Sequence, residues 1–389
     1  MTPDPRSLPR LLASAGSADL AAHVERWGRR PIGRPSLLAQ IDACHLNGRG
    51  GASFPTARKW AALAGRRDAV VVANGTEGEP ASNKDKTLLH YCPHLVIDGL
   101  STAAEAVGAK EAIVCVDQGA TAVIRAVTNA LSERVHYSQD LVPIRLELTP
   151  PGYVTGEEKA LIHWLNGGDA KPTFGYLPTE KGVDGRPTIV NNVETLANVA
   201  LIARFGPEWF NALGVPGSPG TALLTVAGDV GHPAVYEVAY GTPLLDAIRP
   251  SRPLANPKAV LVGGYAGTWL PASHLERATI DPASLRAMGG TLGCGSLVVL
   301  GERSCGLKAT AAIAAWLAGQ SAGQCGPCTN GLPAIAEALA ELADAARPRD
   351  RRAHIERWLD MVAGRGACKH PDGAVRMVAS GLKVFAGEI

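Results

Sequence analysis

Three short apolar runs separated by helical stretches constrain the fold of this 389-residue chain most strongly. Residues Val70–Ala73, Ala112–Val116 and Ile144–Leu148 are rich in aliphatic side chains, which predicts strands. The stretches between them, Thr87–Val107 and Ala120–Val135, have helical patterns. Because strands that alternate with helices form βαβ units, we predict an α/β domain with a mainly parallel sheet. Ligands are expected at the carboxyl ends of its strands.

A glycine-rich run, Gly48-Arg49-Gly50-Gly51, precedes these units. A helical pattern from Thr56 to Ala64 follows it. Glycines let backbone amides approach a ligand closely, and the N-terminus of a helix favours an anion. The run lacks the Gly-Lys-Ser/Thr of a Walker loop. Neither a preceding strand nor a third glycine completes a dinucleotide fingerprint. We therefore predict a phosphate-binding loop, with a plain surface turn as the alternative.

The composition is that of a globular protein, with 46% hydrophobic and 19% charged residues. A net charge of +2 argues against a dedicated nucleic-acid binder. The eight cysteines are too few for a disulfide scaffold, which favours the cytoplasm. The sequence has no apolar run of about 18 residues and no apparent signal peptide. We therefore expect any association with a membrane to go through partner proteins.

Four further motifs follow in a fixed order: an acidic loop, a Tyr-Val-Thr-Gly-Glu-Glu run, an Asn-Asn-Val-Glu-Thr run and three cysteines. They occupy residues 71–87, 152–160 and 190–196, and Cys325, Cys328 and Cys368. With these motifs in this order, the chain resembles the flavoprotein subunit of NADH dehydrogenases over about residues 30 to 385. That family includes the NADH-oxidising subunit of respiratory complex I and relatives in NAD-linked hydrogenases and formate dehydrogenases.

The resemblance implies three domains. A Rossmann-like FMN-binding domain would span residues 1–215, a ubiquitin-like β-grasp domain 220–300, and a C-terminal helical bundle with an iron–sulfur cluster 305–389. Residues 151–190 show little periodicity and are expected to be a functional loop. Helical and strand patterns also occur outside the first predicted sheet. The helices are Glu194–Arg204, one near Leu244, Leu307–Leu317, Leu332–Ala346, His354–Val362 and Gly373–Phe385, and the strands are Ala222–Ala227, Val235–Val238, Ala259–Val262 and Leu297–Leu300.

In the family, the glycine-rich and acidic loops hold FMN, with its phosphate at the junction of loop and helix. Amide groups contact the flavin ring and the ribityl chain. The residues that the resemblance assigns to FMN are Gly48, Arg49, Gly50, Gly51, Lys59, Asn74, Asn191, Asn192 and Thr195. As an alternative, Asn192 is simply the N-cap of the helix that follows.

For the nicotinamide dinucleotide, the family uses aromatic rings around the adenine and carboxylates near the ribose and nicotinamide. The residues that keep this cofactor-binding pattern are Phe54, Glu77, Glu79, Tyr153, Gly156, Glu157, Glu158 and Phe174. Four positions depart from it: Thr76 and Gly78 in the acidic loop, Ala62 in place of a third aromatic, and Thr155 in place of a cysteine. Loss of one stacking ring is expected to weaken dinucleotide binding by about 1–2 kcal/mol.

Cys325, Cys328 and Cys368 are the expected ligands of the iron–sulfur cluster. The family motif Ser-Cys-Gly-x-Cys-x-Pro-Cys has its first cysteine replaced by Ala322. Because a cubane normally takes four thiolates, we expect either a 4Fe-4S cluster with a non-cysteine or open fourth site, or a 3Fe-4S cluster. His370 and Gln324 are candidate fourth ligands. The Cys-x-x-Cys pair also fits a thioredoxin-type dithiol, although its helical surroundings argue against that alternative.

These features predict an electron-transfer oxidoreductase subunit. It would take hydride from NADH onto FMN and pass single electrons through the cluster to an iron–sulfur or ferredoxin-like partner. In a second hypothesis, a ferredoxin or another protein supplies the electrons and NADH binding is lost. In a third, the chain is a non-catalytic scaffold subunit of a redox complex. We expect a cytoplasmic protein, with contact to a membrane only through its partners.

Overall fold

The computed structural model describes residues 3–13, 16–66, 68–137, 139–344 and 350–389. Within these residues the strands are β1 (Val70–Gly75), β2 (Glu111–Asp117), β3 (Ile144–Thr149), β4 (Thr188–Asn192), β5 (Gly214–Val215), β6 (Ser218–Pro219), β7 (Thr221–Gly228), β8 (Ala234–Ala239), β9 (Pro257–Val262), β10 (Thr268–Pro271) and β11 (Ser296–Gly301).

The α-helices of the described residues begin with two N-terminal helices and end with four helices in the C-terminal region. They are α1 (Leu20–Trp27), α2 (Leu37–Ala43), α3 (Thr56–Ala61), α4 (Lys84–Tyr91), α5 (Pro93–Ala106), α6 (Thr121–His136), α7 (Glu158–Leu165), α8 (Val193–Asn211), α9 (Leu244–Ile248), α10 (Ala272–Leu275), α11 (Pro282–Ala287), α12 (Gly306–Gly319), α13 (Leu332–Ala343), α14 (Asp350–Val362) and α15 (His370–Val384).

The chain divides into two compact units. The first comprises Met1–Gly78, Asn83–Leu223 and Glu237–Gly241, and the second comprises Glu79–Ser82, Leu224–Tyr236 and Thr242–Ile389. The predicted α/β class is confirmed, since the first unit contains helices and a parallel four-stranded sheet. The predicted end of one helix at Ala345 and Ala346 lies outside the described residues.

The parallel sheet of the first unit has the strand order β3-β2-β1-β4. Strand β1 lies inside it and pairs in parallel with both neighbours, with Val70 opposite Glu111 on one side and Thr188 on the other. Residues Val70 to Ala73 have no exposed surface, which explains why this run is continuously apolar. Because all strands run in one direction, their carboxyl ends lie at one edge, where the acidic loop and the Asn-Asn motif begin.

Two predictions about this unit were wrong in detail. Residues Thr87–Val107 form two helices rather than one, because Pro93 has no N–H to donate and disfavours helical geometry at the residue before it. Cys92 accordingly has φ −133° and ψ 46°. Residues 151–190 are more regular than predicted, since they contain α7 and the start of β4. In addition, the turn around Gly217 is part of a short hairpin between β5 and β6.

Helices α5 and α8 pack closely in the first unit. A Cβ at Gly99 would lie 1.8 Å from the carbonyl oxygen of Leu196, so only glycine allows this approach. Next to it on α5, the carboxylate of Asp98 is buried among cations. His23 Nε2 lies 2.8 Å from its Oδ2 and an Arg134 nitrogen lies 2.8 Å from its Oδ1, and Arg204 also pairs with it. Four helices, α1, α5, α6 and α8, thus meet at one carboxylate.

The second unit contains most of a five-stranded sheet and the helices of the C-terminal region. The strand order is β10-β9-β11-β7-β8. Strand β11 runs parallel to β7 and antiparallel to β9, and β9 pairs antiparallel with β10. Strand β10 is not evident in the sequence, because its four residues follow a glycine-rich turn. Helices α12 to α15 pack on one another, with α15 also against β10.

We predict that Asp98→Ala destabilises the first unit by about 3–5 kcal/mol, because it leaves buried Arg134 and Arg204 without their shared partner. Burial alone would raise the pKa of Asp98. The hydrogen bond from His23 and the charges of both arginines outweigh burial and hold that pKa well below its usual range. The stabilisation is therefore present at neutral pH and lost as the pH falls through the acid range.

Denaturant unfolding at neutral and acid pH measures this effect. The matched control is Asp169→Ala, since Asp169 belongs to the same unit but pairs with Lys171 at the surface, where its side chain is 56% exposed. We expect the control to change stability by about 1 kcal/mol or less. Equal effects of the two substitutions would contradict the assignment of Asp98 as the central charge of these helices.

Candidate cofactor sites

The glycine-rich loop lies against the junction of β4 and α8. Its Gly51 has φ 113°, a conformation that favours glycine. The backbone N–H of Arg49 donates to Thr195 Oγ1 at 2.9 Å. A Cβ at Gly50 would lie 3.4 Å from Cβ of Asn192, which is van der Waals distance, so the loop packs directly on this asparagine. The structure therefore brings together the glycine-rich run and the Asn-Asn motif, which are about 140 residues apart in sequence.

Within the described part of the chain, Asn191 Nδ2, Thr56 Oγ1 and Arg49 Nε are buried near this loop without a hydrogen-bond partner. Asn191 is 5% exposed and Thr56 is 1% exposed. Buried polar atoms without partners are costly, so their presence together indicates a place where a polar ligand completes the hydrogen bonding. An amide, a hydroxyl and a guanidinium beside glycine backbone fit a flavin mononucleotide, which offers carbonyl, hydroxyl and phosphate oxygens.

Lys59 and Asn74 join the remaining motifs of the first unit. Lys59 Nζ donates to the carbonyl oxygen of Val190 at 2.6 Å and lies 2.8 Å from a carboxylate oxygen of Glu158. Asn74 Nδ2 donates to the carbonyl oxygen of Gly156 at 2.8 Å. The strand ends and the Tyr-Val-Thr-Gly-Glu-Glu run are therefore held together by direct contacts. Both side chains lie at the sheet edge that the sequence predicts, although they already contact protein groups.

Two of the predicted carboxylates bind helix N-termini. Glu77 accepts hydrogen bonds from the backbone N–H groups of Asp85 and Lys86 at the start of α4. Glu157 is the N-cap of α7 and accepts from Lys159 and Ala160. Burial raises the pKa of Glu157, although these backbone hydrogen bonds oppose the shift. Both carboxylates thus stabilise local structure in addition to any role toward a ligand.

The predicted aromatic positions of the first unit are accessible. Phe54 is 46% exposed, with the Arg58 guanidinium 5.8 Å from its ring centre, and Phe174 is 70% exposed. Tyr153 has intermediate exposure. Tyr176 is a further exposed ring that the sequence motifs did not single out, and it lies near Lys181. Exposed rings of this kind can stack on a planar base.

Glu79 belongs to the second compact unit. Its carboxylate accepts hydrogen bonds from the backbone N–H of Ala81 at 3.1 Å and of Tyr265 at 3.0 Å. A Cβ at Gly264 would lie 2.5 Å from that carboxylate, so the loop after β9 approaches it closely. Glu79 therefore binds the turn after β9, which belongs to the same unit.

A buried ion cluster at the start of α4 was not predicted from the sequence. Lys84 Nζ lies 2.7 Å from Asp85 and 2.9 Å from Glu194, and all three side chains are buried. Asn192 is the N-cap of α8, as the alternative interpretation of the Asn-Asn motif holds, because its Oδ1 accepts from Glu194 N. The same side chain contacts Lys84 and Asp85. The adjacent opposite charges of Lys84 and Asp85 were the one signal in the sequence.

The three cysteines predicted to bind the cluster, Cys325, Cys328 and Cys368, lie near one another. Cys328 is buried, and burial together with Cys325 and Cys368 raises its pKa to about 12. Burial opposes ionisation of Cys325, but hydrogen bonds from backbone N–H groups of Ala367 and Cys328 and from the Cys328 thiol lower its pKa. Iron–sulfur clusters bind to thiolates, so backbone N–H groups that stabilise the thiolate form of a cysteine favour its use as a cluster ligand. The three thiols that the sequence assigns to the cluster therefore share one neighbourhood.

The fourth position is different. Ala322, whose backbone N–H lies beside the Cys328 sulfur, is buried and has no ligating atom. His370 is also buried, and its Nε2 lies 2.9 Å from the carbonyl oxygen of Leu317. Among the residues that the structure describes, no group of three or more His, Cys, Asp or Glu side chains is arranged to hold a metal ion. In that same part of the chain, no helix has the length and apolar character needed to span a bilayer.

Comparisons with known families match two regions of the chain. The family described as the Nuo51 FMN-binding domain matches residues 41–201. The family described as the NADH-ubiquinone oxidoreductase-F iron-sulfur binding region matches residues 308–389. The glycine-rich loop and the Asn-Asn motif lie in the first region, and all three cysteines lie in the second.

Similar proteins cover nearly the whole chain. The NADH-quinone oxidoreductase F subunit 2 of Rhizobium meliloti (strain 1021) is 31% identical over 90% of this chain and 87% of its own length. The NADH-quinone oxidoreductase F subunit of Rickettsia bellii (strain OSU 85-389) is 30% identical over 92% and 90%. A crystal structure of NAD+-reducing NiFe-hydrogenase in the air-oxidised state is 31% identical, with a TM-score of 0.87 over 99% of this chain.

A second crystal structure, of such a hydrogenase in the H2-reduced state, is 32% identical with a TM-score of 0.82 over 91% of this chain. This chain spans 61% and 66% of the two hydrogenase chains that it matches. The similarity to the hydrogenases therefore concerns part of a longer chain. The similarity to the two NADH-quinone oxidoreductase subunits covers most of this chain and most of each relative.

We predict that Gly51→Asp yields folded protein that lacks FMN, because the new carboxylate repels the phosphate. Flavin absorbance per chain after purification measures the loss. Gly65→Asp is the matched control, since Gly65 also has positive φ (+74°) but a Cβ added there would meet no described atom within 4 Å. Stoichiometric FMN in Gly51→Asp protein would exclude the glycine-rich loop as the phosphate site.

Proposed function

This chain belongs to the family of the NADH-quinone oxidoreductase F subunit, and on the basis of that membership we propose that it is an electron-transfer protein that oxidises NADH with FMN and an iron–sulfur cluster. The observation that carries the proposal is that one chain contains both the FMN-binding region and the iron–sulfur binding region, in that order. A flavin converts two-electron into one-electron chemistry, and a cluster accepts electrons singly, so the two belong together.

The residues around the glycine-rich loop would hold FMN. The buried amide of Asn191, the buried Nε of Arg49 and the backbone of Gly50 and Gly51 support this assignment. Arg49 lies over the ring of Tyr240 at 4.5 Å, which fixes the direction of its guanidinium. FMN, when bound, accepts hydride from NADH and releases electrons singly. The protein residues bind and orient the flavin, and no side chain has to act as an acid or base on the hydride.

The dinucleotide would bind beside FMN, against exposed aromatic rings of the first unit. Phe54 and Phe174 offer accessible faces for the adenine, and Glu158 stands near Lys59 at the edge of the flavin-binding loops. Ala62 supplies no ring, and we propose that the exposed Phe174 carries most of the stacking. The remaining residues that keep the family pattern for the dinucleotide are Glu77, Glu79, Tyr153, Gly156 and Glu157.

Cys325, Cys328 and Cys368 would bind the cluster through three thiolates. We propose that its fourth corner, at Ala322, has no protein ligand. The side chain at this position supports the proposal, because the buried methyl group of Ala322 has no ligating atom. An iron without a thiolate is the most easily lost, so a cluster with one open corner converts readily between four-iron and three-iron forms.

The wider organisation is also a proposal. We infer that residues 1–215, 220–300 and 305–389 are the three functional domains, with the middle one of β-grasp type and the last a helical iron–sulfur bundle. Helix α9 follows the neighbouring strands β7 and β8 in sequence and precedes the neighbouring strands β9 and β10. This order, together with the parallel pairing of β11 with β7, supports the β-grasp interpretation. The relatives are named as subunits of oxidoreductases, which supports a partner subunit for this chain.

The similarity to these NADH-quinone oxidoreductases does not favour the hypotheses of a protein electron donor or a scaffold. Anaerobic addition of NADH to the purified protein separates the three. We expect the absorbance of the bound flavin to bleach. We also predict that Phe174→Ala slows this bleaching by about tenfold, as loss of about 1–2 kcal/mol of stacking requires, while dithionite still reduces the flavin normally.

Tyr137→Ala is the control for this prediction, because Tyr137 is an exposed ring as well (62%) but lies at the end of α6. Its bleaching rate should equal that of the wild type. A flavin that NADH never bleaches would favour the protein-donor hypothesis, and a colourless protein would favour the scaffold. An unchanged rate in Phe174→Ala would place the dinucleotide away from this ring.

For the cluster, we predict that brief oxidation of the reconstituted wild type releases iron and produces the electron paramagnetic resonance signal of a three-iron centre. Ala322→Cys should retain the fourth iron and remain silent when oxidised, because the new thiolate closes the open corner. Ala312→Cys, on an exposed face of α12, is the control and should behave like the wild type. Conversion of the wild-type spectrum by His370→Ala would instead identify His370 as the fourth ligand.

A further inference from the structure

Within the described residues, the carboxylates around Lys84 outnumber the cations that face them. Lys84 lies 2.7 Å from Asp85 and 2.9 Å from Glu194. Glu77 adds a third carboxylate at the start of α4, and Arg49 is the second cation, facing Glu194. With all groups ionised, three negative charges meet two positive ones in a region where Lys84, Asp85 and Glu194 are nearly inaccessible to water. A buried excess charge of this kind favours the uptake of a proton.

Asp85 is the carboxylate best placed to take that proton. Glu194 is paired with Lys84 and accepts the backbone N–H of Leu223 at 3.1 Å. Glu77 accepts two backbone N–H groups, at 3.2 and 3.1 Å. The described partners of Asp85 are side chains: its Oδ1 contacts Lys84 and its Oδ2 accepts from Asn192 at 2.6 Å. Burial and the charges of Glu77 and Glu194 raise the pKa of Asp85, and Lys84 opposes them.

One residue connects Asp85 to the glycine-rich loop. Asn192 Nδ2 donates to Asp85, and the Cβ of the same asparagine lies 3.4 Å from the Cβ position at Gly50. The next turn of α8 carries Thr195, which accepts the backbone N–H of Arg49. Asp85 and Lys84 therefore lie directly behind the loop that would hold FMN. A negative charge added to a ligand at that loop raises the electrostatic energy of these carboxylates, because the intervening protein is buried and has a low dielectric constant.

We propose that Asp85 takes up a proton from water when the flavin bound at the glycine-rich loop is reduced. This inference rests on the proposed FMN site. In the complete step, NADH transfers hydride, two electrons and one proton together, to the flavin and leaves as NAD+. The reduced flavin carries one additional negative charge. The Asp85 carboxylate and one solvent proton become a carboxylic acid, so the net charge of the site is unchanged. Asp85 acts here as a positioning residue through charge and does not touch the hydride.

Proton uptake on reduction of the FMN-loaded protein tests the proposal. Dithionite reduces the flavin anaerobically in weakly buffered solution, and a pH indicator reports the protons taken up between about pH 6 and 8. We expect the wild type to take up more protons per FMN than Asp85→Asn, by up to about one. Asp117→Asn is the matched control, because Asp117 ends the neighbouring strand β2 and binds Gly119 N. It should match the wild type.

A second measurement needs no variant to fold. In the reduced-minus-oxidised infrared difference spectrum of the wild type, the carbonyl stretch of a protonated carboxyl group should appear and shift in D2O. Absence of this band, or equal proton uptake by wild type and Asp85→Asn, overturns the proposal while leaving the FMN site intact. A wild type that contains no flavin after reconstitution overturns both the FMN site and this inference.

Discussion

The parallel pairing of β1 with β2 and β4 is the constraint on which the rest of the first unit depends. Since β1 is completely buried from Val70 to Ala73, its register on both sides is fixed by apolar packing. All of its neighbours then end at the same edge. Asn74 and Asn192, which are more than 100 residues apart, become opposite residues in the sheet. The glycine-rich loop and the ion cluster at Lys84 are positioned by that edge.

The sequence predicts strands β1, β2 and β3 well because each is a continuous apolar run, which is typical of strands covered on both faces. Strand β4 was missed, since its residues Thr188–Asn192 mix polar and apolar types after a segment rich in glycine and proline. Its place in the sheet is a tertiary effect. The break at Pro93 was available in the sequence but was outweighed there by the apolar helical pattern on both sides of it.

The candidate site, too, is predictable from the sequence only where local patterns mark it. The glycine-rich run and the cysteine pair are local patterns, so residues such as Gly51 and Cys325 can be found without a structure. The ion pairs cannot, because Lys84 and Glu194 belong to distant segments and nothing local marks them as partners. A buried charge without a partner costs several kcal/mol. The cluster at Lys84 has more carboxylates than cations, whereas at Asp98 several cations surround one carboxylate. The Asp98 contacts join helices, whereas those of Lys84 face the candidate flavin site.

The central claim is that one chain carries electrons from NADH through a flavin to its own cluster. Rapid anaerobic mixing with NADH, followed by optical absorbance and freeze-quench electron paramagnetic resonance, tests it most directly. The account predicts that flavin absorbance falls first and that the signal of the reduced cluster rises afterwards, in the same molecules and without an added partner. A cluster that NADH reduces while the flavin remains oxidised, or a bleached flavin beside a cluster that never becomes reduced, would contradict it.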